Sequence, residues 1–151
     1  MFMTKVHQEG FTLLEIIIAI AMLSLGILAI ATMQVSAIKG NVHASGITEG
    51  ITLAQERVEQ LMPLHYNHFD LSDGSGDNDG QAGLGDDANA DHQDPNNPIK
   101  LSGFGQQYNI YWNIAEDWPL PNTKTIRVIV TWTERGNQRS ASLEFAKANN
   151  I

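Results

Sequence analysis

At 151 residues the chain has room for one modest domain, and its long apolar stretch leaves only about three quarters of that length for a soluble part. The formal net charge of −8, with no cluster of Lys or Arg, excludes recognition of a nucleic-acid backbone. The absence of cysteine excludes a disulfide framework and a thiolate metal site, so association with other subunits is the expected supplement to a small core.

Residues 1–10, MFMTKVHQEG, form a short polar leader with Lys5 and no apolar centre. The run FTLLEIIIAIAMLSLGILAIATM, residues 11–33, follows and is long enough to span a bilayer as a helix of roughly 20 residues. A conventional secretory signal places its small-residue cleavage site after the apolar region; here the polar leader and its glycine come first. Lys5 favours a cytoplasmic N-terminus. Glu15 interrupts the apolar run, and an ionised carboxylate near a membrane centre costs about 2.5–3.5 kcal/mol. No Lys, Arg or His lies between Phe11 and Ile38 to pair with it. An α-amino group made by cutting after Gly10 is the nearest possible cation, either one helical turn away or on a staggered neighbour.

Beyond the span, Val35, Ile38, Val42, Ile47, Ile51, Ala54, Val58 and Leu61 recur at helical intervals and continue the helix over residues 34–62 as an amphipathic segment. The stripe from Ile47 to Leu61 reads as core. Pro63 ends it, and a helix from Phe11 to Leu61 is roughly 75 Å long. Gly40, Gly46 and Gly50 weaken the helix just past the span, which makes either local melting at a hinge or simple tolerance of glycine the expectation there.

Residues 63–105 hold an Asp/Asn/Gly-rich region whose part from Asp70 to Asn97 has no Lys or Arg and no sustained apolar period. It reads as an exposed, partly mobile loop. Ser75 to Gly80, with Asp77 and Asp79 inside and Asp86 at the closing position, partly matches a calcium-loop pattern. Ser75 stands where the first Asp belongs and Asp86 where a longer Glu does, so a solvated turn-rich loop is the preferred reading and calcium the alternative. His65, His68, Asp70 and His92 do not have the spacing of a zinc site. No nucleophile–base pattern or phosphate loop stands out, so the expectation is a protein without enzymatic activity and without a cofactor.

Residues 106–151 alternate. Tyr108, Ile110, Trp112 and Ile114 share one face; Ile126, Val128, Val130 and Trp132 share the next; Ala141, Leu143 and Phe145 follow after a turn at Gly136-Asn137. This predicts an antiparallel meander of about three strands with one face buried under the amphipathic helix, an α+β fold.

Gly10-Phe11-Thr12-Leu13-Leu14-Glu15 and the apolar run behind it resemble the signal of type IV prepilins and type II secretion pseudopilins. The resemblance implies a long N-terminal transmembrane and stalk helix packed on a small sheet. It implies cleavage by prepilin peptidase between Gly10 and Phe11, N-methylation of Phe11, and a role for Glu15 as the charge that pairs with a neighbour's amine during assembly. Glu9 departs from the basic or neutral residue more usual before the glycine. Leu23-Ser24-Leu25-Gly26-Ile27-Leu28-Ala29 and the stretches 108–117 and 121–133 resemble PilV-type minor pilins. That similarity implies a low-abundance subunit joining other minor pilins, the major pilin and the inner-membrane assembly platform to initiate a pilus, with a place at its tip open to it. It also implies a periplasmic C-terminal domain that later enters the extracellular pilus. A minor pseudopilin of a type II secretion system has the same N-terminus and is the alternative. A membrane-anchored calcium-dependent adhesin, working through the acidic loop, is the alternative of another class.

Overall fold

The computed structural model describes residues 10–74, 80–85, 90–101 and 105–149. They fall into two compact units, Met1–Val42 and His43–Ile151. Helix α1, Leu13–Leu61, supplies most of the first unit and the first element of the second.

In the first unit every residue from Gly10 to Gly40 is exposed, including all of its Ile, Leu and Met. By length and composition this stretch of α1 can cross a membrane. Two of its hydroxyls bond back into their own helix: Ser24 Oγ donates to the Ile20 carbonyl and Thr32 Oγ1 to that of Ala29, both at 2.7 Å.

In the second unit, residues 43–61 of α1 lie on an antiparallel sheet. Strands β3 (Gln107–Glu116), β4 (Thr123–Glu134) and β5 (Asn137–Ala148) form the predicted meander. Two short strands, β1 (His92–Gln93) and β2 (Ile99–Lys100), pair with the free side of β3. Arg135 and Gly136 both take positive φ in the two-residue β4–β5 turn, the twist that suits a tight hairpin. In the β3–β4 loop the positive φ values fall on Asp117 and Asn122, and the Asp117 carboxylate accepts from the Asn122 N–H at 2.8 Å. The core consists of Leu53, Ala54 and Leu61 of α1, Leu71, and the helix-facing rows of β3 and β4, with Ala141, Leu143 and Phe145 of β5 half-buried against it.

Three features differ from the sequence reading. The buried stripe of α1 is rotated: Gly46, Gly50, Leu53, Ala54 and Leu61 are buried, whereas Ile47 and Ile51 stay 37% and 36% exposed. The cause is Trp132. A Cβ at Gly50 would lie 2.8 Å from its ring and one at Gly46 3.1 Å, so the two glycines let the indole lie against the helix backbone. They are packing positions, and of the three glycines just past the span only Gly40 has open space. Second, the acidic region is not simply an exposed loop. Leu71, Leu84 and Asp94 are buried, and the short 3-10 helix Gly80–Gly85 packs on β3 and β4. Third, Asn113, Ala115, Ile129 and Thr131 are buried on the sheet face away from α1, so both faces carry some burial.

Polar contacts fix the helix on the sheet. The Tyr108 hydroxyl donates to Glu49 Oε2 at 2.7 Å, and burial, reinforced by that carboxylate, pushes the phenol well above its usual range. Arg57 is paired with buried Asp94, and its guanidinium carbon lies 4.9 Å from the centroid of the Trp112 ring. Desolvation lowers the Arg57 pKa, with Asp70 and Glu56 opposing. His43 Nδ1 lies 2.7 Å from Glu134 Oε2; this hydrogen bond is the largest cause holding the Glu134 carboxyl below its ordinary value, with His43, Arg139 and Arg135 charges adding to it.

Two outcomes follow for the full chain in detergent. Gly50→Ala lowers the denaturation midpoint by the equivalent of about 1–3 kcal/mol through overpacking against Trp132, whereas Gly40→Ala leaves it unchanged or raises it by up to about 1 kcal/mol. The depressed Glu134 pKa stabilises the fold above the ordinary carboxyl value near 4.5 and ceases to do so as pH falls through the lowered one. The difference in midpoint between wild type and Glu134→Gln therefore shrinks as pH is taken from about 6 to about 3.

Candidate functional site

The N-terminal end of α1 is assembled by local chemistry. Gly10, Phe11 and Thr12 precede the helix, and Leu13 is its first residue. Thr12 is the N-cap: its carbonyl accepts from Glu15 N at 3.1 Å and Ile16 N at 3.3 Å. Its hydroxyl also accepts from Glu15 N (3.3 Å), while Glu15 Oε2 accepts from the Thr12 N–H (3.4 Å). This reciprocal pair is a capping box, which satisfies two backbone donors that the first turn otherwise leaves bare. The carboxylate also faces the positive end of the helix dipole.

Glu15 therefore has an intrachain role that the sequence reading did not assign, and Thr12 was not singled out. The signal was present as Thr-x-x-Glu at the start of the apolar run. Phe11, 82% exposed, stands just ahead of the cap, and Gly10 has nothing within 4 Å of where a Cβ would be. A shallow apolar groove on this part of the helix is lined by Phe11, Glu15, Ile16, Ala19, Ile20 and Leu23. The first basic residue along α1 is Lys39. What this end of the helix offers is an accessible Gly10–Phe11 peptide, a single acid and a continuous lipid-compatible surface.

The sequence matches the prokaryotic N-terminal methylation motif over residues 5–31. The N-terminus is that of a type IV pilin- or pseudopilin-like protein. The matched prepilin motif takes in Gly10, Phe11 and Glu15 and most of the apolar run, and it ends before the second unit begins. It implies processing by prepilin peptidase and fits anchoring in a membrane. No curated protein and no solved structure matches the chain.

The other candidate residues fall elsewhere. Asp77, Asp79 and Asp86, the calcium alternative, lie outside the described residues. His65 Nδ1 accepts from the Asn67 N–H and His68 Nδ1 from that of Asp70, both local turn bonds. His92 stacks on Trp112 with centroids 5.5 Å apart and places Nε2 2.8 Å from the Ser72 carbonyl. Among the described residues no group of three or more His, Asp or Glu side chains converges as a metal site.

The capping box yields a separable outcome. Thr12→Ala removes one arm and costs the first turn about 1 kcal/mol. Hydrogen exchange at residues 13–16 in micelles speeds up several-fold, while exchange in β3–β5 is unchanged.

Proposed function

We propose that this protein is a minor type IV pilin of the PilV type, cut by prepilin peptidase between Gly10 and Phe11, methylated on Phe11, and used to initiate pilus assembly. The observation that carries the reading is the Gly-Phe-Thr-Leu-Leu-Glu signal opening an apolar run, residues 11–33, whose one acid sits in the first turn of the helix. Cleavage creates an α-amine one residue ahead of Thr12, beside the only carboxylate of the span. In lipid an unpaired carboxylate is costly, and a subunit that brings its amine to a neighbour's Glu15 relieves both charges at once. Assembly then reburies the apolar surface of residues 11–38 among other helices. The Leu23–Ala29 run and the sheet sequences favour the minor-pilin reading over the pseudopilin one. The protein performs no reaction of its own; its partners are the peptidase, other minor pilins, the major pilin and the inner-membrane platform. The second unit then stands in the periplasm before incorporation.

The test is mass spectrometry of the N-terminal peptide from wild-type and peptidase-deficient cells. The expected result is methylated Phe11 in the first and an intact Met1 start in the second; an uncut chain in both overturns the reading. Gly10→Val blocks processing. Glu15→Ala is processed normally but is recovered with partner pilins at a small fraction of the wild-type level, and undiminished recovery would contradict the assembly role.

A further inference from the structure

The sheet of the second unit closes one of its edges and, among the described residues, leaves the other unpaired. On the β3 side, β1 and β2 pair at either end, and between them the Asn97 side chain spans Ile110 like a strand: its Oδ1 accepts from Ile110 N and its Nδ2 donates to Ile110 O, each at 2.9 Å. Asp94 N donates to the same carbonyl at 3.0 Å, and Asp91 Oδ2 accepts from Ile114 N at 2.7 Å. Every outward group named here is a backbone group met by the chain's own residues.

On the far side β5 ends the sheet, and among the described residues nothing pairs with its outer edge. The Asn149 N–H donates to the Asn122 carbonyl at 2.9 Å, one step beyond the Thr123–Ala148 pair. Odd-numbered residues of β5 therefore bond to β4, and even-numbered residues from Gln138 to Ala148 turn their N–H and C=O outward. Edge strands are normally blunted by proline, a bulge, short length or charged side chains, and of these β5 has only the charges of Arg139, Glu144 and Lys147. β5 is 12 residues long, has no proline and holds continuous register with β4.

The row of β5 that faces the helix layer specifies what fits. Ala141, Leu143 and Phe145 are half-buried apolar residues continuous with the core. Arg139 precedes them and Lys147 follows. Arg139 lies 4.0 Å from Glu134, a carboxylate already bonded to His43, and stays half exposed; Lys147 donates to a neutral carbonyl, that of Met62, at 2.6 Å. We propose that the β5 edge accepts an extended strand of a different polypeptide, one that carries apolar residues against Ala141, Leu143 and Phe145 and an acid at each end of that row. Backbone pairing supplies the affinity and the charged ends set the register.

A second copy of this chain is a poor occupant. The antiparallel register that matches the apolar residues, Leu143 on Leu143 and Ala141 on Phe145, sets Arg139 against Lys147 at both ends. Parallel in-register pairing sets each charge against its own kind. Each copy also carries a net charge of −8. The inference stands on the sheet alone and holds whether the helix polymerises in a pilus or elsewhere.

The probe is a synthetic nonapeptide, Asp-Thr-Val-Thr-Ile-Thr-Val-Thr-Glu, titrated against the full chain in micelles, with a second peptide in which both end acids are lysine. Saturation with the acid-ended peptide should slow hydrogen exchange at even-numbered amides of β5 and leave odd-numbered ones unchanged. The lysine-ended peptide should bind about tenfold more weakly. Ser142→Pro removes one outward donor without touching the β4–β5 ladder and should abolish binding; Ser140→Pro serves if that variant does not fold. No protection of the even amides, equal binding of the two peptides, or a peptide-independent dimer that protects the same amides would each overturn the proposal.

Discussion

Trp132 lying against the backbone of α1 at Gly46 and Gly50 is the contact on which the second unit depends. It brings the helix closer to β4 than any side chain at those positions would allow, and it sets the helix rotation. With that rotation fixed, Glu49 reaches the Tyr108 hydroxyl, His43 reaches Glu134, and Arg57 is placed over Trp112 beside Asp94. The indole N–H is buried and makes no hydrogen bond among the described residues, so the ring serves through its shape. The helix accepts two residues of poor propensity in exchange for close packing, and the polar clasps on either side recover part of the difference.

The acidic region has a structural logic of its own. Its carboxylates and amides stand in for the strand that the sheet lacks: Asp91, Asp94 and Asn97 supply acceptors and donors to β3 where β1 and β2 stop. Short polar side chains suit this work because they mimic backbone groups at close range. Asp94 also receives Arg57, so one residue closes the edge and ties it to the helix. For Asp91, Asp94 and Asn97 the polar composition therefore serves local bonding as well as solvation.

Much of this was legible from the residues. Alternation at 108–114, 126–132 and 141–145 placed the meander and its buried face, because a period of two is hard to mistake over three strands. The apolar run and the acid at Glu15 announced the first unit. The rotation of the helical stripe was hidden, since Ile47 and Ile51 look like core residues and glycines look like weak points; only the position of Trp132 across the fold reverses their roles. The bonding of Asp91 and Asn97 was hidden for a related reason: a loop residue's partner lies some 13 to 23 positions away and leaves no local period. Ala115 and Ile129, apolar on the supposedly open face, were the one available hint that the other side of the sheet is covered. At the N-terminus the Thr12–Glu15 spacing was in plain view, but the cost of a charge in lipid drew attention away from the same side chain's work as a cap.

Past the capping box, the hydroxyls of Ser24 and Thr32 in the apolar stretch spend their donors within their own helix. They ask nothing of a neighbour, and the surface around them is aliphatic. A helix of this kind can shift along another by a turn with little change in contact chemistry, because Leu, Ile and Ala are nearly interchangeable against one another. Positional information is therefore concentrated at one end, at residues 11–15, like a smooth rod with a single tooth. If Glu15 pairs with a neighbour's amine as proposed, such a segment can be packed beside helices of quite different sequence and still be set to one depth.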